Sequence, residues 1–184
     1  MKGPAKTRSV FMVGFMGAGK TSVGKALAQR LGLKFHDLDE VIEDRQQTSI
    51  AAIFAAAGES GFRNIENAAL LELLHNMRHP GIIALGGGTF AQPANREALQ
   101  KAGGTTVLLE APLEELQRRC NNGSAVRPLA QDQKKFGLLM ASRQPAYALA
   151  DLRVQTGGKT IEQVADEVEQ LLKNVFNRMP EVKK

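Results

Sequence analysis

The stretch Gly14-Phe15-Met16-Gly17-Ala18-Gly19-Lys20-Thr21 constrains this chain more than any other part of it, because it matches G-x-x-x-x-G-K-[ST]. Glycines let the backbone turn tightly, so that successive N–H groups face one point, and a helix start behind them adds partial positive charge. The flanks supply the required context. Ser9–Val13 is a short, nearly unbroken apolar run, as in a strand buried on both faces. After the loop, Val23, Ala26, Leu27 and Leu31 recur at helical spacing until Gly32 closes the segment. A nucleoside triphosphate fits this arrangement. Gly17, Ala18, Gly19 and Ser22 are expected to line the phosphates, with Lys20 on the β/γ oxygens and the Thr21 hydroxyl on Mg²⁺.

Further along, short apolar runs alternate with helical patterns. Strands are expected at 34–36, 82–85, 106–109 and 152–155. Helices are expected at 49–57 and 59–76, split at Gly58, and then at 94–102, 112–120, 133–149 and 160–177. Residues 121–132 carry turn and polar residues and read as a mobile loop. About five strand–helix alternations predict an α/β fold, a five-stranded parallel sheet with helices on both faces. No repeat or interdomain linker interrupts the 184 residues. One domain is expected, with a core over about 8–176, an acceptor-binding insert over about 37–76 and a lid over about 121–136.

Charge needs a closer look, since the net value is +5. Residues 1–36 hold seven Lys or Arg and no acid, whereas residues 37–184 hold 17 basic and 19 acidic side chains. The excess therefore surrounds the phosphate loop, where it favours arrival of an anionic nucleotide. A nucleic-acid partner is not required to explain it. A single cysteine excludes an internal disulfide and a cysteine metal cluster. With no leader pattern and no apolar run of spanning length, a cytoplasmic chain without a membrane partner is expected.

The class of phosphate-loop protein follows by subtraction. Neither the N-K-x-D nor the D-x-x-G stretch of GTPases occurs, and the length suits a small-molecule kinase. Such an enzyme needs an acceptor pocket and a group that orients the attacking hydroxyl. Asp37 and Asp39, two apart after the second strand, are candidates. At strand spacing both would point the same way, one serving the metal and one the acceptor; the alternative is an acidic helix start that complements the dipole.

Six further stretches follow the loop in order: F-x-D-x-D (Phe35–Asp39), S-I-A-x-I-F (Ser49–Phe54), G-E-x-x-F-R-x-x-E (Gly58–Glu66), Gly86-Gly87-Gly88, V-R-P-L (Val126–Leu129) and R-x-P-x-Y (Arg143–Tyr147). Together with the loop this resembles the shikimate kinase family, from about Val10 to Leu172. The resemblance implies ATP-dependent phosphorylation of the shikimate 3-hydroxyl, on the route to aromatic amino acids, by a monomer whose partners are ATP and shikimate. It places Asp37 near Mg²⁺ and Asp39 on the acceptor hydroxyl as orienting group or base. Arg63 and Arg143 fall on the substrate carboxylate, Gly86, Gly87 and Gly88 along the substrate ring, and Arg127 over the transferring phosphate. Arginine forks suit a planar carboxylate, and consecutive glycines leave bare backbone.

The sequence departs from the family where Ala130 and Ala146 replace leucines. It departs again at Cys120, where some members carry an adenine-stacking arginine. Arg118 or Arg119 is then the candidate there, beside an adenine-side loop at 156–160. Two readings compete with the favoured one. One is a kinase of the same fold for another hydroxy acid such as gluconate; the other is a non-catalytic nucleotide-binding module.

Overall fold

The computed structural model describes residues 8–122 and 132–178. The first strand, β1 (Val10–Gly14), is buried along its whole length, as its apolar run predicts. Hydrogen bonding continues on both sides of it, to β3 (Gly81–Ala84) and to β4 (Thr105–Glu110), all parallel. The edges are β2 (Lys34–Asp37) and β5 (Leu152–Gln155), giving the order β2-β3-β1-β4-β5. The central position of β1 matters for function. In open α/β sheets ligands bind beyond the carboxyl ends of the strands, and the phosphate loop leaves that end of the middle strand.

Strand order also decides which face each helix covers. Right-handed crossovers are required between parallel strands. Of the four crossovers only β1 to β2 runs in one direction, carrying α1 (Lys20–Leu31); the other three run the opposite way. Helix α1 therefore lies on one face, where α7 (Ile161–Arg178) packs against it. The opposite face receives α2 (Leu38–Gln46), α3 (Ile50–Asn76), α4 (Pro93–Lys101), α5 (Leu113–Asn122) and α6 (Gln133–Tyr147). Phe11, Met12, Leu27, Ile82, Ile83 and Leu108 are fully buried between these layers. The α/β architecture expected from the sequence is the one observed.

The elements differ from expectation in a few places, each with a local cause. DLDE starts a real helix, α2, whose N-cap Asp37 accepts from the Asp39 amide at 3.1 Å. Asp39 therefore sits in the first helical turn rather than at strand spacing from Asp37. Helix α5 runs on through Asn122, so 121–122 are helical and not part of a loop. Residues 123–131, which hold most of the expected lid and Arg127, lie outside the described residues.

The expected split at Gly58 is present. The residue adopts φ 66°, ψ −175° inside the stretch 50–76, so two helical arms meet there at a kink. That backbone region belongs almost solely to glycine. The kink lets Phe54 on one arm stack on Phe62 of the other, ring centres 4.4 Å apart. A Cβ on Gly58 would meet nothing within 4 Å, so any cost of Gly58→Ala is backbone strain alone. We expect about 1–3 kcal/mol of lost stability, read from urea unfolding; an unchanged midpoint would show that the kink has an easy alternative.

Candidate active site

The phosphate loop joins β1 to α1, and its backbone takes left-handed conformations that glycine allows freely. Gly17 and Gly19 have φ of 81° and 93°. Gly19 is the N-cap of α1 and supplies no side-chain cap, and the first helical turn holds no acid. An anion is what such a helix start favours. Lys20 folds back over the loop, donating to the carbonyls of Gly14 at 2.9 Å and Phe15 at 3.0 Å. Ala18 is buried below the loop, and Ser22 follows on α1, exposed.

Next to the lysine stands an oxygen pair. The Thr21 hydroxyl donates to Asp37 Oδ2 at 2.7 Å. A hydroxyl and a carboxylate at the start of α1 form the kind of hard oxygen set that Mg²⁺ takes from protein, leaving its other positions to phosphate and water. Among the described residues no group of three or more His, Cys, Asp or Glu could hold a metal by itself.

Asp39, half-buried, stands beside the loop after β3. Burial pushes its carboxyl up to about 6, helped by the negative charge of Asp37 and, less, of Glu66 and Glu43, with Lys20 pulling it down. The two aspartates, two residues apart, thus have different environments. Asp37 caps a helix and meets Thr21; Asp39 is an enclosed carboxyl whose titration falls near neutrality.

The remaining candidates converge on the loop after β3. Gly86, Gly87 and Gly88 carry no positive φ, so glycine is needed there for room rather than for backbone freedom. A Cβ on Gly86 would stand 2.9 Å from Asp39 Oδ1 and 3.0 Å from Glu66 Oε1; on Gly87, 3.1 Å from Arg143 Nη1; on Gly88, inside the Arg63 guanidinium. The space beside these glycines is filled by the chain's own charged side chains, which the sequence reading had left for a ligand ring. Asp39, Arg63 and Arg143 are thereby gathered around one short loop.

Each guanidinium is held by its neighbours. Arg63 donates to Glu66 at 2.8 Å and to Glu59 at 3.3 Å, and lies 5.2 Å from the Phe62 ring centre. Its Nε is buried without a hydrogen-bond partner. Buried donors are nearly always satisfied, so this arginine has room for one more acceptor. Arg143 stands 5.2 Å from the ring centre of Phe15, a phosphate-loop residue.

Sequence reasoning passed over several residues here. Glu66 was quoted within a motif but given no role. It is 1 % exposed, and accepts from Arg63 and, at 2.6 Å, from Thr89. Thr89 is in turn linked through its carbonyl to Asn95, and Asn95 to Asn67. The three-residue spacing of Arg63 and Glu66 on a helix was a readable signal; the contacts across 23 and more residues were not. Arg118 and Arg119 have different surroundings. Arg119 donates to Thr156 Oγ1 and O, both at 2.9 Å, and to the Gly17 carbonyl at 3.4 Å, whereas Arg118 is mostly exposed. Cys120 is buried beneath the loop, its Sγ 2.9 Å from where a Cβ on Gly17 would lie.

Comparison with known proteins adds the following. A family model described as shikimate kinase matches residues 16–173. A shikimate kinase of Geobacter sulfurreducens is 42 % identical over 171 residues, covering 91 % of this chain and 92 % of that one. The solved shikimate kinase of Acinetobacter baumannii, in complex with shikimate, superposes with a TM-score of 0.85 at 34 % identity, covering 96 % of this chain and 97 % of that one. A gluconokinase of Sinorhizobium meliloti, at 17 % identity and a TM-score of 0.65 over 96 % of this chain and all of the other, shares the fold alone.

The separation of the two aspartates can be measured. In Asp37→Asn the charge that helps raise Asp39 is gone, so carbon-detected NMR should show its carboxyl titrating below about 6. An unmoved titration would mean that the two do not sense each other.

Proposed function

This chain belongs to the shikimate kinase family, and on that premise we propose that it transfers the terminal phosphoryl group of ATP to the 3-hydroxyl of shikimate, with Mg²⁺. The observation that carries the reading is the convergence of Arg63, Arg143 and Asp39 on Gly86–Gly88, beside a phosphate loop. An acid with a hydroxyl to be phosphorylated suits two guanidinium groups and one carboxyl so arranged. Gluconate also carries a carboxylate and hydroxyls, but the gluconokinase that shares the fold is only 17 % identical to this chain, against 34 % for the solved shikimate kinase.

Phosphoryl transfer passes through a loose transition state, so the protein's task is to align and to neutralise. Loop amides with Gly17, Ala18 and Gly19, together with Lys20 and Ser22, hold the nucleotide phosphates. Thr21 and Asp37 would hold Mg²⁺, which would supply positive charge to neutralise the phosphates. Arg63, kept in place by Glu66, and Arg143 clamp the acceptor carboxylate. Asp39 accepts the hydrogen bond of the attacking hydroxyl and takes its proton as the new bond forms. A general base works best with a pKa near the working pH, and burial brings Asp39 to about 6. Arg119 and the 156–160 loop form the adenine side. Arg127 is assigned to the transferring phosphate on its motif alone.

The same reading takes the chain as one kinase domain acting as a cytoplasmic monomer, with residues 37–76 as acceptor insert. Nucleic acid and membrane are not among its partners. Two of the early cations are already neutralised within the molecule, Lys25 by Glu40 and Arg30 by Asp166, which supports that view. No described helix is long and apolar enough to cross a membrane.

The test is ADP release at fixed Mg·ATP with shikimate, gluconate and no acceptor. Shikimate alone should drive turnover; its failure would overturn the reading, and gluconate turnover would favour the rival kinase. Arg63→Ala should raise the shikimate KM at least about thirtyfold, on the order of 2 kcal/mol, because one partner of a charge-assisted pair is lost. The ATP KM should hold; equal effects on both would contradict the assignment.

Asp39 predicts a pH profile. Its raised carboxyl is ionised, and able to accept, only above about 6. Shikimate kcat/KM should therefore fall about tenfold per pH unit below that value, since this ratio reports the free enzyme. Asp39→Asn should lose both the limb and most of kcat. A limb that survives the substitution would assign it to another group.

A further inference from the structure

Tyr147 ends α6 with its side chain 3 % exposed, and no step above uses it. It is the chain's single tyrosine, and the chain has no tryptophan. A buried phenol has to place its O–H, and a partner on its own helix would suffice. Instead the hydroxyl donates to the carbonyl of Gly87 at 2.5 Å, across 60 residues of sequence. Arg143 precedes it by four positions, so both side chains leave one face of α6, and the guanidinium faces the phenol oxygen. That guanidinium is also packed on Gly87, where a Cβ would stand 3.1 Å from Nη1. Gly87 in turn backs onto the phosphate loop, with the same Cβ position 3.6 Å from Met16 N and 3.8 Å from Gly14 O. Burial pushes the phenol up to about 12, with Arg143 opposing, so the group stays a donor throughout the neutral range.

We propose that Tyr147 is a positioning residue for the acceptor: its hydroxyl joins the Arg143 guanidinium and the Gly87 carbonyl into one unit, so that the carboxylate anchor and the loop beside the phosphate site keep a fixed register. The proposal rests on reading Arg143 as a carboxylate anchor. It adds that this anchor is placed by a hydroxyl which touches neither substrate. Without that hydroxyl the Gly87 carbonyl loses its donor and the guanidinium its neighbour, while the packing of the ring is unchanged.

Two measurements test it. With one tyrosine and no tryptophan, the near-ultraviolet emission of the chain reports Tyr147 alone. Shikimate added without nucleotide should change that emission saturably, with the midpoint found for its binding by calorimetry. Emission that stays constant while calorimetry records binding overturns the proposal. Absence of binding in calorimetry overturns the acceptor reading itself, and this proposal with it.

The second is Tyr147→Phe, which removes the hydroxyl and leaves the ring. The shikimate KM should rise about tenfold, as expected when a buried acceptor is left unpaired, with kcat and the ATP KM little changed. Because Tyr147 acts through Arg143, the same substitution made in Arg143→Ala should add little; coupled residues are non-additive. Equal rises in both KM values, or full additivity with Arg143→Ala, would show a structural role only and overturn the proposal. Should the variant fail to fold, the emission titration of the unaltered chain still decides.

Discussion

The site depends on one close approach, that of the Gly86–Gly88 backbone to four charged side chains. Without side chains of its own, this loop lets Asp39, Glu66, Arg63 and Arg143 come within contact distance of main chain. A single methyl group on Gly88 would have to occupy the volume of the Arg63 guanidinium. Charged groups so near to each other and to the interior are costly unless paired. The pairing here is extensive: Arg63 with Glu66 and Glu59, Glu66 with Thr89, and Tyr147 with Gly87. What stays unpaired among the described buried side chains is the Nε of Arg63.

Burial in this crowded loop sets the acidity of Asp39. Asp39 shares its surroundings with Asp37, Glu66 and Glu43, while Lys20 is the cation acting on it. Were the lysine fully committed to Asp39, the carboxyl would sit low and be a poor proton acceptor. Lys20 instead spends donors on the carbonyls of Gly14 and Phe15. Burial then dominates, and the carboxyl rises towards the range where a base is effective.

Much of this was legible in the sequence, because the features concerned are local. The phosphate loop, the buried strand before it and the glycine break at 58 each follow from a few adjacent residues, and so the α/β architecture could be read along with them. Less local features escaped. The spacing of the two aspartates was misread: Asp37 caps α2, so the pair straddles a strand end and a helix start. The chain Glu66–Thr89–Asn95–Asn67 joins residues brought together only by the β3–α4 connection lying over α3, and no spacing rule reveals it. Arg119 was one of two arginines in sequence; helix α5 turns that one, and not Arg118, towards Gly17 and Thr156.

The phosphate loop and the glycine loop come from separate parts of the chain, yet they share a boundary. The phosphate loop ends β1, the glycine loop follows β3, and the two strands are paired neighbours. Parallel pairing alone sets their mouths side by side, and Leu85 extends it by donating to the Met12 carbonyl at 3.1 Å. Phe15 and Met16 then meet Arg143 and Gly87 across the gap. The placement of the two loops relative to each other is therefore set by strand pairing, and not by the helices that carry Arg63 and Arg143. In a reaction where positioning is most of catalysis, that placement explains why the arginines can come from distant helices while the loops they serve must come from adjacent strands.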